Sequence, residues 1–234
     1  MRRLPLIGIL VLALGLTGCG VNFYLGRPSD VKRIDELSSE IDRIKAQKEV
    51  EADQLKEAQR MLEERLQQEI SDTQVKLEMA ERGLVLTFVS EVLFDSGKAT
   101  LRSEAQETLR KVASVIREKV ADRDVGVEGH TDNQPIKHSG WRSNWELSTS
   151  RATSVLHALE ENGVNPRHLV ATGYGEYHPV DSNDRSEGQQ KNRRVEIVIL
   201  PKRLTKAEKE IVRRAARSEE PSLAGKAKAL EEYK

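Results

Sequence analysis

Residues 84–94 read LVLTFVSEVLF, and at this point the chain changes character. Leu84, Leu86 and Phe88 alternate with Val85, Thr87 and Val89, the period-two pattern of a strand. Upstream, from Val31 to Arg82, there is neither Gly nor Pro, and Glu, Lys, Gln, Arg and Leu dominate; these are strong helix formers. Downstream, elements of both kinds follow one another. Ser103 with Gln106 has the spacing of a capping box, and Ala105, Leu109, Val112, Ala113, Ile116 and Val120 form a helical stripe behind it. DVGVEG (124–129) reads as a short strand. Ser143 and Glu146 repeat the capping-box spacing before a helix to about Asn162, which Gly163 would stop. Asn165 and Pro166 make a fresh cap with Pro in the first turn. HLVATGYG (168–175) is a third strand, 181–190 a polar loop, and RVEIVIL (194–200) a fourth strand with Val195, Ile197 and Ile199 on one face. The order β-α-β-α-β-β over 83–201 predicts an α+β, two-layer domain with helices on one face of a mixed sheet.

The flanks are not core material. Charged residues make up 32% of the chain and aromatics 4%, so one compact domain with extensions is expected rather than a core running through all 234 residues. In 31–82, Ile34, Leu37, Ile41 and Ile44 follow heptad spacing; Lys48 and Glu51 interrupt it, and Leu55, Ala58 and Leu62 resume it. Two successive four-residue steps, Leu62 to Leu66 to Ile70, form a stutter that locally unwinds a supercoil. A helix of about 50 residues reaches roughly 75 Å. The segment is expected to be a coiled-coil-like spacer that self-associates or meets an envelope-protein partner, or else a single solvated charged helix. The tail, 202–234, holds ten Lys or Arg against six Glu with sparse apolar residues, and reads as a frayed helix followed by disorder. Formal net charge is zero, which gives no pull towards nucleic acid, so none is expected as a partner.

Residues 1–19 read MRRLPLIGILVLALGLTGC. Two arginines precede an uncharged stretch of signal-peptide length that is too short to span a bilayer comfortably. The close, Leu16-Thr17-Gly18-Cys19, resembles the lipobox of bacterial lipoproteins. That resemblance implies a signal peptide over 1–18, a lipid anchor at Cys19, and a tether over 19–30. Gly20 stands where an Asp would be the usual inner-membrane retention signal, so the outer membrane is the expected location. Cys19 is the single cysteine, which excludes an intrachain disulfide and a multi-cysteine zinc site.

The loop after the second strand carries the chemistry. His130, Asp132 and His138 could in principle meet as metal ligands, but the third would come from a loop of no fixed spacing, and no HExxH is present; no metal is expected. No serine has a nucleophile-elbow context, so no enzyme activity and no cofactor are expected. His130 is expected to be a packed histidine whose ring nitrogen holds the neighbouring loop through a backbone bond. Asn144, Leu147, Ser148 and Arg151 share one stripe of the following helix. Its N-terminus and the Arg151 fork suit a carboxylate, while Asp132 suits an ammonium. Together they could clamp the zwitterionic end of an amino acid; a plain Asp132–Arg151 salt bridge fixing loop to helix is the alternative.

G-H-T-D (129–132), N-x-x-L-S-x-x-R-A (144–152), G-Y-G-E-x-x-P (173–179) and E-G…N-R-R-V-E (187–196) together resemble the C-terminal domain of the outer-membrane protein A (OmpA) family. The long QPI-containing loop and the S-N-W-E-L helix entry are similar to its flagellar motor protein B branch. The resemblance implies non-covalent binding of peptidoglycan through the diaminopimelate of the stem peptide. Asp132 would take the ammonium and Arg151 the carboxylate, with Asn144 and Leu147 lining the pocket and Arg193 and Arg194 as further contacts. Strand alternation puts Arg193 and Arg194 on opposite sides. Members of the motor branch span the inner membrane with an Asp in the span, whereas residues 4–18 contain no acidic residue. The implied protein is a wall tether on a lipid anchor, or an accessory wall-anchoring subunit of an envelope machine.

Overall fold

A computed structural model describes residues 28–137 and 140–217; Cys19, His138 and the tail beyond 217 lie outside the described residues. Helix α1 (Pro28–Arg65) leads through the short α2 (Gln67–Ser71) into a hairpin of β1 (Val75–Ala80) and β2 (Gly83–Val89). Then come α3 (Ser90–Leu93), α4 (Ser103–Lys119), β3 (Val125–His130), α5 (Asn144–Glu161), a 3₁₀ turn (Pro166–His168), β4 (Leu169–Gly175), α6 (Ser186–Asn192), β5 (Arg194–Ile199) and α7 (206–217). The sheet order is β1-β2-β5-β3-β4, antiparallel except for β3 beside β4. This is the expected α+β arrangement with one strand more than the sequence predicted.

That strand is a correction to the predicted helix over 31–82. Leu66 leaves helical geometry at φ −110° and ψ 19°, at the place where the heptad stutters. After α2, Thr73 sits at φ +59°; its N–H donates to the Ile70 carbonyl, and the Gln74 N–H donates to the Glu69 carbonyl at 2.9 Å. These two bonds make a Schellman stop, usually built on Gly, and the β-branched Thr hides it from a reading of the sequence. Val75, Leu77 and Met79 then alternate with Lys76 and Glu78, and Val75 pairs with Phe88.

The spacer expectation also changes. Leu55, Ala58, Leu62 and Leu66 are at most 5% exposed and join the core with Leu109, Val112, Phe88 and Ile197. Buried Arg123 fixes the same helix, donating from Nη2 to the Glu51 carbonyl at 3.1 Å and to Gln54 Oε1 at 3.0 Å. The second half of α1 is therefore part of the domain, and its seam is closed to another copy. In the first half Ile34 stays 60% exposed, whereas Ile44 is covered where 202–208 passes. Lys48 Nζ donates to the Lys202 carbonyl at 2.6 Å there, so the start of the tail is bound against α1.

Val195, Ile197 and Ile199 of β5, with Leu84, Leu86 and Phe88 of β2, face α1, α4 and α5. Helix α4 begins at Ser103 itself, with Arg102 as its N-cap and no side-chain cap, so the predicted capping box there does not form. The one at α5 does: the Ser143 hydroxyl accepts from the Trp145 N–H at 3.2 Å and donates to Glu146. Gly163, at φ +87°, ends that helix as expected. The polar loop holds the unexpected α6, ordered by fully buried Asn192, whose side chain bonds the backbone of Val180 and Asp181.

Leu62→Ala is expected to cost the domain about 2–5 kcal/mol in urea unfolding, whereas Ile34→Ala changes stability by less than about 0.5 kcal/mol. Equal small effects would mean that α1 is a free-standing spacer.

Candidate functional site

Two glycines set the site. A Cβ on Gly129 would run into the Ser148 carbonyl oxygen, and one on Gly173 into the Thr149 hydroxyl. Without side chains at these positions, β3 and β4 let α5 lie directly on the sheet. The Ser148 hydroxyl fastens it, accepting the Gly175 N–H at 3.0 Å and donating to the Trp145 carbonyl at 3.0 Å. The adjoining stripe of α5, with Asn144, Leu147 and Arg151, then faces the loops after β3 and before α4. Between them is a cavity of about 740 Å³ that also takes in Glu91, Phe94, Lys98, Asp132, Gln134 and Arg193.

Arg151 is buried at 4% exposure. Its Nε donates to the Lys98 carbonyl at 2.9 Å, and its guanidinium carbon lies 5.2 Å from the centre of the Phe94 ring. Those contacts hold the side chain by its root and one face. The two Nη groups have no hydrogen-bond partner among the described residues. Burial, and then the charge of Arg193, pull its pKa below the ordinary guanidinium value, against Glu91 and Asp132; a guanidinium remains charged nonetheless. An uncommitted fork at a cavity wall is a ready carboxylate site.

Asp132 faces it, with Oδ1 accepting the Gln134 N–H at 3.1 Å. Its Oδ2 takes Arg193 Nη1 at 2.7 Å. Arg193 in turn donates from Nε to Glu91 at 2.7 Å. Burial opposes the Arg193 charge, but the bonds to Asp132 and Glu91 outweigh it and raise the pKa. The salt bridge on Asp132 thus comes from Arg193 and not from Arg151. Asn144 lines the cavity, with its amide bracing the walls: it donates to Glu176 Oε2 at 2.6 Å and to the Gln134 carbonyl at 3.1 Å. Leu147 supplies apolar floor at 6% exposure.

Of the two arginines left open by the sequence, Arg193 enters the site and Arg194 does not. Arg194 points to the opposite face of the sheet, donating to Glu196 Oε1 at 2.6 Å and the His178 carbonyl at 3.2 Å. Glu91 of α3, Phe94 and Lys98 were not anticipated, because no local pattern ties them to Asp132 or Arg151. His130 is packed as expected, stacked on Tyr174 at 5.1 Å, but neither ring nitrogen has a hydrogen-bond partner among the described residues. The predicted backbone bond is absent. His130 lies with Glu128 and Glu196 in a group of metal-ligand type. Arg82 bridges those two carboxylates and Arg194 takes a second oxygen of Glu196, so two arginines already balance the two acids.

The chain matches the OmpA family over residues 93–193. It carries an OmpA-family domain. The chain is 38% identical to motility protein B of Bacillus subtilis (strain 168) over 156 residues, 66% of this chain and 59% of that protein. It is 36% identical to the probable lipoprotein YiaD of Escherichia coli (strain K12) over 141 residues, 59% of this chain and 61% of that protein. Among solved structures, the cell wall anchor of the T6SS from Pseudomonas aeruginosa superposes with a TM-score of 0.56 at 34% identity, over 60% of this chain and 97% of that one. The chain thus spans about three-fifths of the length of these two curated relatives. All four sequence blocks of the OmpA-like domain surround either the cavity or the glycine contact beneath it.

Burial, and next the nearby Arg194 charge, push the His130 pKa down to about 3. The unfolded chain, with an ordinary histidine near pH 6.5, takes up a proton there that the native protein refuses. Stability therefore falls as the pH drops from about 6.5 towards 3. The His130→Phe variant should lose about 2 kcal/mol less than wild type between pH 7 and 5 in urea titrations. Parallel losses in the two proteins would contradict this assignment.

Proposed function

We propose that the domain grips peptidoglycan through the diaminopimelate of the stem peptide, as a binding module and not as a catalyst. The observation that carries this reading is the pairing, across one cavity, of the uncommitted Arg151 fork with the Asp132 carboxylate. A free amino-acid terminus fits that pair: carboxylate on Arg151, ammonium on Asp132. Arg193 holds the Asp132 oxygen at 2.7 Å and keeps a second carboxylate partner in Glu91, so it can yield to an incoming ammonium without losing its charge balance. The names of two relatives, a cell wall anchor and a motility protein, support wall attachment. In sedimentation with purified sacculi, Asp132→Ala and Arg151→Ala should each lose about 2–5 kcal/mol of binding and stay in the supernatant, while Arg194→Ala pellets like wild type. Pelleting of all three variants would refute the clamp.

The lipobox-like Cys19 and the likeness to a probable lipoprotein support attachment to the outer membrane by lipid at Cys19, with the domain facing the periplasm. A second reading, an accessory wall anchor within an envelope machine, is favoured by the exposed apolar residues of α1, Ile34 at 60% and Val50 at 59% exposure. Both meet in one fractionation. Cys19→Ser should move the protein from the membrane to the soluble fraction; retention in the membrane contradicts the lipid anchor. A defined envelope protein retained at Ile34→Cys after cross-linking supports the second reading over the simple tether.

A further inference from the structure

Trp145 and Tyr177 are large aromatics held at the surface, 47% and 63% exposed. Their rings are stacked at 5.1 Å with 23° between planes. Single exposed apolar residues need no explanation, but this pair is built. Trp145 sits in the first turn of α5, with its N–H held by the Ser143 hydroxyl and its carbonyl by Ser148. Tyr177 is set by a turn in which its N–H reaches the Tyr174 carbonyl at 3.3 Å.

The pair is also continuous with the cavity. Asn144, the residue before Trp145, lines the cavity and donates to Glu176, the residue before Tyr177. The bond between Asn144 and Glu176 is thus a shared wall, with the clamp on one side and the two rings on the other. Glu176 uses Oε2 in that bond; its Oε1 has no hydrogen-bond partner among the described residues.

We propose that Trp145 and Tyr177 are a sugar platform: the glycan strand of the polymer whose stem peptide fills the clamp lays a pyranose ring on them. This inference rests on the wall-binding reading above. A pyranose offers a face of polarised C–H groups to the negative face of an aromatic ring, and its hydroxyls or N-acetyl N–H reach acceptors at the ring edge, here Glu176 Oε1. The scale also fits. Two rings are far smaller than the roughly 800 Å² per partner of a stable protein interface, and are matched to one or two sugar units. The stem peptide joins the diamino acid to the sugar, so one polymer can present both groups.

The test uses the full chain and two ligands: the free tripeptide ending in diaminopimelate, and the same tripeptide on its N-acetylated disaccharide. Wild type should bind the disaccharide form about tenfold more tightly, the equivalent of one aromatic stacking contact. Tyr177→Ala and Trp145→Ala should bring that ligand down to the affinity of the free peptide and leave free-peptide binding unchanged. Intact free-peptide binding certifies that the variants are folded. A preference that survives in both variants, or no preference in wild type, overturns the platform while the clamp stands. Binding of neither ligand by wild type overturns the clamp itself, and the platform with it.

Discussion

The structure depends on how close α5 comes to the sheet. With no side chain at Gly129 and Gly173, the helix backbone meets β3 and β4 directly, and Ser148 at 0% exposure closes the contact. A helix set this low presents its first two turns to the loops beyond the strand ends. Arg151 can then lie buried against Phe94 and Lys98 while its fork opens into the cavity. Any side chain at either glycine would lift the helix, and Asn144 would no longer span from Gln134 to Glu176. Backbone contact at Ser148 thus positions the charge one turn further along α5.

Charge is divided between the two faces of the sheet by strand alternation. Arg193 stands on the cavity side with Asp132 and Glu91; its neighbour Arg194 stands on the far side with Glu196. The two networks differ in kind. On the far side Arg82 and Arg194 meet Glu128 and Glu196, burial holds His130 uncharged, and the group is closed in charge. On the cavity side two acids and two arginines are equally balanced, yet Arg151 takes no carboxylate. The excess of donors there is what a ligand carboxylate can use.

Much of this was legible in the sequence because periodicity reports burial. The strands β2 and β5 and the helices α4 and α5 alternate or repeat cleanly, and they are the elements with one face in the core. The spacing of Asn144, Leu147 and Arg151 gave one wall of the site for the same reason. What escaped was information held elsewhere than in periodicity. Strand β1 is written in Lys, Glu, Met and Ala, good helix formers, and its stop signal is a Thr in a glycine's conformation. Helix α6 has no apolar stripe, because one buried Asn192 amide orders it. The pairing of Arg193 with Asp132 and Glu91 joins residues up to 102 positions apart, a separation at which no local pattern operates. From Leu55 to Leu66 the apolar repeat was real, but its partner is the chain's own core.

The fusion of α1 to the domain has a mechanical consequence. Residues that tie the helix down run from Glu51 through Gln54, Leu55, Ala58 and Leu62 to Arg65, which meets Glu118. That is about 20 Å of helix axis. A pull along the axis loads these contacts in shear, so they must fail together and not one after another as a peeled linker would. The 22 residues from 28 to 49 ahead of them form a stiff arm of roughly 33 Å. Tension applied to that arm reaches the floor of the cavity through Leu62, the core and α5, with little slack to absorb it. Strain arising at the base of the arm would be felt at the cavity almost at once.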